Sequence, residues 1–378
     1  MFGSAYAAVF AFSALVSAVP AAIPIMKRAG PTKTDSYIVK LKADTSKDSH
    51  ITRLLSGISG NDASVIYKWD NTDLFHGYAA VLKGAALDSV RESPDVEYIE
   101  ADTIYQIEYE VHTRGFASRP ESIPPQSTGG SGVVVYGIDT GIYTNHSCFG
   151  GRASWGATFG NYSNADGNGH GTHTAGTIVG QGFGIATSAT IIAVKVCADN
   201  GSCAMLDMVS GVNYALAQFK ANGKPSVVNM SVGGSSTGDT PIDEAVKNAI
   251  AAGLHIVVAA GNSNVDAATI SPAHVIGANT VGAIDDSNAK YTLSNYGSAL
   301  DVWAPGVNIT SAWIGSPDAT ATHSRTSAAA PYVASILTIA LGKYGQVNPE
   351  SLSASLKSHG QPIVTGMPAN TTNLKATL

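Results

Sequence analysis

Apolar positions along the chain fall into two regimes. From Thr34 to Ile107 the segments are short: Tyr37 to Leu41, Val65 to Trp69, Gly77 to Leu82 and Val96 to Ile99 read as strands, while the region around Ile51, Leu54 and Leu55 and the stretch Ala85 to Arg91 keep a helical spacing. This order, with one helix after the first strand and one after the third, predicts a ferredoxin-like α+β sandwich. From Ser131 onward the apolar runs Ser131 to Ile138, Thr190 to Val196, Ser226 to Val232 and His255 to Ala260 are rich in Val and Ile and bounded by Gly or Asn, as buried parallel strands are. Helical stretches lie between them at His170 to Val179, Ala204 to Lys220 and Pro241 to Ala252, the last with Thr240 as N-cap and Pro241 in first position. The alternation predicts an α/β domain over 131–378, a doubly wound parallel sheet flanked by helices, with ligands beyond the carboxyl ends of its strands. The two regimes are joined by 108–130, where Pro120, Pro124 and Pro125 with several Ser and Gly residues form a linker suited to proteolytic separation.

The first 26 residues carry no charged side chain, and the apolar run Ala5 to Val19 ends at Pro20. This reads as a secretory signal peptide over 1–22, with small residues at Val16-Ser17-Ala18 or Val19-Pro20-Ala21-Ala22 for cleavage. An uncleaved anchor is the alternative, but Gly3, Pro20 and Pro24 interrupt it, and no other segment approaches bilayer length. The mature chain is therefore expected to be secreted and extracellular, without a membrane partner. Apolar residues at 44%, charged residues at 13% and 40 glycines describe a compact domain with many tight turns. A net charge of -6, with no basic cluster longer than Lys27-Arg28, excludes a nucleic-acid partner, which needs a basic stripe to displace counterions. In an oxidising compartment Cys148, Cys197 and Cys203 allow one disulfide and a leftover thiol; the Cys197–Cys203 spacing suits a hairpin but leaves the pairing open. Glycosylation sequons begin at Asn145, Asn161, Asn200, Asn229, Asn308 and Asn370, of which Asn229 sits in an apolar run and is expected to be unused.

Three polar residues stand where such a sheet presents chemistry. Asp139 ends an apolar strand at a Thr-Gly turn, His170 opens a helix after the loop Asp166-Gly-Asn-Gly169, and Ser327 begins a long apolar helix. Taken singly each has an ordinary structural reading, as a turn aspartate, a core histidine and an N-cap serine. His173, one turn after His170, has no third ligand at a metalloprotease spacing, which argues against zinc, and is expected to bind neighbouring backbone.

In combination they point further, because the segments Tyr136-Gly-Ile-Asp139-Thr-Gly141, Gly169-His170-Gly-Thr-His-Thr-Ala-Gly-Thr177, Ser231-Val-Gly-Gly234, Ala259-Ala-Gly-Asn262, Ser294-Asn-Tyr-Gly297 and Thr326-Ser327-x-Ala-x-Pro331 occur in order. From about Gly132 to Leu341 the chain resembles the subtilisin-like serine proteases of the secreted proteinase K group, and the sandwich before it resembles that family's inhibitory propeptide. The resemblance implies Ser327 as nucleophile, His170 as general base and acid, Asp139 as its orienting carboxylate, and Asn262 as oxyanion donor. It implies substrate binding by Ser231, Val232, Gly233, Ala259, Ala260 and Gly261. Catalysis would need no cofactor, and a structural calcium ion would be held by Asp301 with the carbonyls of Ile276 and Ala278. Expected partners are peptide or protein substrates and the chain's own propeptide, on a monomer.

Some positions depart from the family pattern. Arg325, Ala328 and Tyr332 stand where the nucleophile motif has Gly, Met and His, and Cys203 stands near where the family has a glycine in the strand that flanks the substrate. Two rival readings follow from the sequence. Gly234-Ser235-Ser236-Thr237-Gly238 satisfies an esterase G-x-S-x-G elbow, though Asp139, His170 and Asn262 then go unexplained. A catalytically impaired subtilisin-fold peptide-binding protein is the other, motivated by the substitutions around Ser327. The expected activity is that of a secreted serine endopeptidase, a self-processing zymogen whose chain is cut between about Tyr105 and Gln126.

Overall fold

The computed structural model describes residues 22–56, 62–69, 74–107, 129–236 and 238–378. The expected signal segment, apart from Ala22, and the linker 108–130, apart from Gly129 and Gly130, lie outside the described residues.

The N-terminal unit has strands Thr32–Leu41, Ala63–Lys68, Gly77–Leu82 and Val96–Gln106 and helices Lys47–Ser56 and Gly84–Arg91. In the sheet the last strand lies beside the first, the first beside the third and the third beside the second, every pair antiparallel, which is the ferredoxin-like order. Ile51 and Leu54 on one helix and Ala86 and Val90 on the other close over Val39, Leu41, Tyr78, Leu82 and Ile99. The last strand continues past Ile99 to Gln106, further than its apolar pattern suggests. Glu100 and Asp102 break that pattern, yet both are fully buried and satisfied. Arg28 Nη2 donates to Glu100 Oε2 at 3.0 Å, Ser36 Oγ to Asp102 Oδ2 at 3.1 Å, and the Leu206 N–H to Asp102 Oδ1 at 3.2 Å.

The second unit is built on a nine-stranded sheet. Seven of its strands run Val302–Pro305, Asn279–Ile284, His255–Ala259, Ser226–Met230, Val134–Asp139, Thr190–Lys195 and Ala153–Thr158 across the sheet, all parallel. The strand expected from Ser131 begins at Val134 and takes in Asp139. Asn279–Ile284, Val302–Pro305 and Ala153–Thr158 were not anticipated from the pattern, being short or broken by glycine. Gly282 shows why glycine is there, since a Cβ at that point would lie 2.5 Å from the Trp303 ring. One face of the sheet is covered by helices His170–Val179 and Thr326–Tyr344, with Val135, Ile178, Val257, Val281, Val333 and Leu337 in its core.

The other face is covered by helices Met205–Asn222 and Pro241–Ala251, and onto these the N-terminal unit docks. Ile38, Trp69, Leu74 and Phe75 join Val209, Val212 and Ile242 in one continuous apolar cluster. Polar contacts fix the register: Trp69 Nε1 donates to Ser210 Oγ at 2.8 Å, Tyr67 OH to Asp207 Oδ1 at 2.8 Å and Tyr98 OH to Glu244 Oε2 at 3.2 Å, and Lys40 pairs with Glu244. The helix Met205–Asn222 has Ala204 as its N-cap, without a capping side chain, and Asp102 from the other unit accepts the Leu206 N–H instead.

Cys197 and Cys203 form a disulfide, leaving Cys148 as a buried free thiol. Among the described residues no helix is long and apolar enough to cross a membrane.

Candidate active site

Backbone geometry sets three side chains at the carboxyl end of the sheet. Asp139 is the last residue of its strand, His170 the first of its helix and Ser327 the second of Thr326–Tyr344. Asp139 and His170 are both 1% exposed, and His170 Nδ1 donates to the carboxylate at 2.7 Å from Oδ1 and 2.9 Å from Oδ2. Because a carboxylate only accepts, this contact places the Nδ1 proton and leaves Nε2 as the free acceptor. Among the described residues Nε2 has no hydrogen-bond partner, and His170 lines one cleft with Ser327 and Asn262. Burial alone would lower the His170 pKa, but the charge and hydrogen bond of Asp139, with Asp166 behind it, raise it above the ordinary value.

Asp166 was not singled out in the sequence, and it organises this corner. Its Oδ1 accepts from Thr140 Oγ1 at 2.8 Å and from the N–H groups of Asn168 and Gly169; its Oδ2 accepts from the Thr172 N–H and from Thr172 Oγ1 at 2.6 Å. It therefore ties the loop after Asp139 to the start of the His170 helix. A second unforeseen group is Lys195, fully buried, whose Nζ donates to the Thr140 carbonyl at 2.6 Å and to Asp199 Oδ1 at 2.7 Å. The readable signal for Asp166 is its place in Asp166-Gly-Asn-Gly169 just ahead of a helix start, a pattern that favours side-chain-to-backbone bonding.

Asn262 follows the strand His255–Ala259, and its Oδ1 accepts from the Thr326 N–H at 2.8 Å and from Thr326 Oγ1 at 3.0 Å. An N–H can only donate, so Oδ1 is fixed on Thr326 and Nδ2 is left for the cleft. The Ser327 N–H lies in the first turn of its helix, where it has no intrahelical acceptor. Asn295 holds the loop from behind, accepting from the N–H groups of Ser263 and Val265 and donating to the Ala260 carbonyl at 2.8 Å.

Of the expected substrate-binding residues, Ser231, Val232, Gly233, Ala259 and Gly261 line the cleft. Ala260 does not: just past the strand, it is fully buried in a cluster with Ile284, Leu300 and Trp303. The cleft already holds the end of the N-terminal unit. Ile104, Tyr105 and Gln106 pair antiparallel with Ala204, Cys203 and Ser202, and the Ile107 N–H donates to the Gly201 carbonyl at 2.8 Å. Tyr105 lies flush on Gly234, where a Cβ would come within 2.1 Å of its ring.

The calcium expectation at Asp301, Ile276 and Ala278 does not fit the donor set. Asp301 Oδ2 accepts from the Thr280 N–H at 2.9 Å and Oδ1 lies 3.0 Å from Lys357 Nζ, so an ammonium already neutralises the one carboxylate on offer. A group not foreseen, Asp239, Asp243 and His274, is close enough to share an ion, yet Lys247 pairs with Asp239 at 2.5 Å and Thr240 and Ser271 both donate to Asp243. His173 behaves as expected, with Nε2 on the Ile309 carbonyl at 3.0 Å and burial pushing its pKa down to about 4. In the G-x-S-x-G segment Ser236 Oγ donates to the Gly238 carbonyl at 2.6 Å, which is a turn rather than a nucleophile beside a base.

Comparison with known proteins gives the family. Residues 130–369 match the model of the subtilase family, and residues 36–108 that of peptidase inhibitor I9. Subtilisin-like protease 2 of Pseudogymnoascus destructans is 38% identical over 344 residues, covering 86% of this chain and 84% of its own. Subtilisin-like serine protease Pen ch 18 of Penicillium rubens is 40% identical over 79% of this chain and 67% of its own. Cerevisin of Saccharomyces cerevisiae is 43% identical over 75% of this chain, which spans only 48% of that protein. A crystal structure of a cold-adapted subtilisin-like serine proteinase superposes with a TM-score of 0.62 at 36% identity, over 67% of this chain and 93% of the other.

Proposed function

The chain belongs to the subtilase family of serine proteases and carries an I9 inhibitor segment ahead of the protease domain, and from there we propose that it is a secreted, monomeric endopeptidase made as a self-processing zymogen. The observation that carries this reading is the His170–Asp139 contact, in a cleft shared with Ser327 and Asn262 and filled by the chain's own strand end.

In this reading Ser327 Oγ attacks the carbonyl carbon of a peptide bond and its proton passes to His170 Nε2, the acceptor that Asp139 leaves free. The oxyanion accepts from Asn262 Nδ2 and the Ser327 N–H, both at a helix N-terminus whose dipole favours negative charge. His170 then protonates the leaving amine, and a water activated by the same nitrogen hydrolyses the acyl-enzyme. No step requires a cofactor. Substrate enters as an extended strand between Gly201–Ala204 and Ser231–Gly234, the place where Ile104–Gln106 now lies.

The division of labour along the chain is a signal peptide over 1–22, an inhibitory propeptide over 34–107, a linker cut within 108–130 and a protease over 131–378. Asn145, Asn161, Asn200, Asn308 and Asn370 are exposed and suited to glycan, whereas Asn229 is fully buried and donates to Ser231 Oγ.

The test is expression of the full chain beside Ser327→Ala, with intact mass and casein hydrolysis measured for each. Loss of the N-terminal hundred or so residues and hydrolysis by wild type alone is the expected result. Two folded, inert, full-length proteins would establish the impaired reading, which Arg325 beside the nucleophile favours.

A further inference from the structure

Lys195 ends its strand in register with Asp139 and is fully buried, although no step of the chemistry above uses it. A buried ammonium is costly unless its donors are satisfied, and a methionine would fill much the same volume without that cost. Here Nζ donates to the Thr140 carbonyl at 2.6 Å and to Asp199 Oδ1 at 2.7 Å, and it lies 5.8 Å from the centre of the Tyr162 ring. The first acceptor belongs to the residue after Asp139. The second, half-exposed, belongs to the loop that leads into the substrate edge Ser202–Ala204.

Each end of this bridge continues by hydrogen bonds. The Thr140 N–H donates to Asp139 Oδ1 at 2.7 Å, so the turn that Lys195 holds is the turn that holds the Asp139 carboxylate. At the other end the Asp199 carbonyl accepts from Asn168 Nδ2 at 2.9 Å and Asp199 Oδ1 from the Gly167 N–H at 3.2 Å, while Asn168 Oδ1 accepts from the His170 N–H at 3.2 Å. Asp199 thus reaches both members of the Asp139–His170 contact. Its loop is short and closed, because Cys197 and Cys203 are disulfide-bonded and the Ala198 N–H donates to the Ser202 carbonyl at 2.8 Å. The strand end now in the cleft grips this same loop. Ile104–Gln106 pairs with Ser202–Ala204, and Gln106 Nε2 donates to the Asn200 carbonyl, next to Asp199, at 2.8 Å. A strand that orders the edge therefore orders Asp199 with it.

We propose that Lys195 and Asp199 are positioning residues that carry the ordering of the substrate edge to the Asp139–His170 pair, so that peptide bound along the edge raises kcat as well as affinity. The inference rests on the protease reading. Neither residue lines the cleft, and neither takes part in proton transfer or bond making.

The test uses mature wild type, Lys195→Met, Asp199→Ala and Asp199→Glu on peptide anilides. The peptides share their residues at the scissile bond and are lengthened one residue at a time on the entering side, until they pair along Gly201–Ala204. In wild type, reaching the edge is expected to raise kcat about tenfold. In Lys195→Met and Asp199→Ala the longer peptide still lowers KM, because the backbone of the edge still pairs with it, but the rise in kcat shrinks to less than about twofold. Asp199→Glu, which keeps the carboxylate, retains part of the rise. A variant that is merely less well folded loses active enzyme at every length alike, so its long-to-short ratio of kcat does not move. If Lys195→Met does not fold, the two variants of half-exposed Asp199 decide. No rise in kcat with length in wild type, or an undiminished rise in Lys195→Met or Asp199→Ala, overturns the inference and leaves the protease reading standing. Absence of any Ser327-dependent hydrolysis overturns both.

Discussion

Asn262 and Thr326 lock one another: the Asn262 side-chain oxygen takes both the Thr326 N–H and its hydroxyl, at 2.8 and 3.0 Å. The amide nitrogen of Asn262 is thereby aimed before any substrate arrives, which is what makes an oxyanion donor effective. Asn262→Ala is expected to lower kcat by about 10²- to 10³-fold with little change in KM. Thr326→Val keeps the N–H bond and loses the hydroxyl one, so its loss of kcat should be smaller. Equal defects in the two variants would contradict the division of roles.

The acid limb of activity follows from His170. Asp139 raises its pKa against the effect of burial, so the rate should fall as pH drops through a value above the ordinary ~6.5, when Nε2 gains a proton and can no longer act as base. Asp139→Asn removes the charge, and is expected both to shift that limb to lower pH and to cut kcat by as much as ~10⁴-fold. A kcat/KM profile flat from about pH 5 to 9 in the parent enzyme would falsify the assignment of His170.

Release of the N-terminal unit should also depend on pH, in the opposite sense from acid activation. Burial between the units pushes Glu100 up to about 7 against the pull of Arg28, and Asp102 and Asp207 up to about 6. Lys33 lowers both aspartates slightly, and Tyr67 and Tyr162 donate to Asp207. Once the units part, these carboxylates regain ordinary values near 4, so the assembled form takes up protons and is favoured at low pH. Its advantage is complete below about pH 4 and is lost as pH rises through about 7. The dissociation constant of the cut complex, measured by inhibition, is expected to rise by at least about a hundredfold between pH 5 and 8. Glu100→Gln should flatten that rise; an unchanged slope would remove Glu100 from the account.

Chelation distinguishes a lysine-neutralised site from a metal site at Asp301. With Lys357 on its carboxylate, the protein should show the same Tm with and without EDTA, within about 1 °C. A calcium-dependent Tm that Asp301→Asn abolishes would restore the metal.

Asp166 is expected to matter for stability more than its absence from the chemistry suggests. Asp166→Ala strands backbone N–H groups at Asn168, Gly169 and Thr172 and should cost about 2–4 kcal/mol in denaturant unfolding, with a loss of kcat as the His170 helix loosens. An unfolding midpoint equal to that of the parent would show that water replaces the carboxylate.

What could be read from the chain and what could not follows a physical line. Asp139, His170, Asn262 and Ser327 were expected from the ordered motifs that resemble the subtilisin-like proteases, since singly each has an ordinary structural reading; the structure sets His170 on Asp139 and places His170, Asn262 and Ser327 along one cleft. The helix Pro241–Ala251 was legible from local signals, with Thr240 and Asp243 forming its capping box. Asp166, Lys195 and Asn295 act on backbone groups contributed by other elements, so their neighbours in sequence say little of their task. The strand Val302–Pro305 is short and takes its identity from pairing with Asn279–Ile284, a contact distant in sequence. The extension of Val96–Gln106 was hidden because buried carboxylates look like solvent-facing residues until Arg28, Ser36 and Leu206 are seen around them.

That extended strand has one edge in the small sheet and meets the protease strand Ser202–Ala204 as well. Cutting the linker breaks a covalent bond but none of these hydrogen bonds, so severance and release are separate events. Between them the molecule is a one-to-one pair whose survival depends on concentration. Under the zymogen reading, a pair held at high concentration would stay closed and a diluted one would fall apart, each freed protease then digesting further inhibitor. Onset of activity would then show a lag and an abrupt rise, which makes dilution itself the clock.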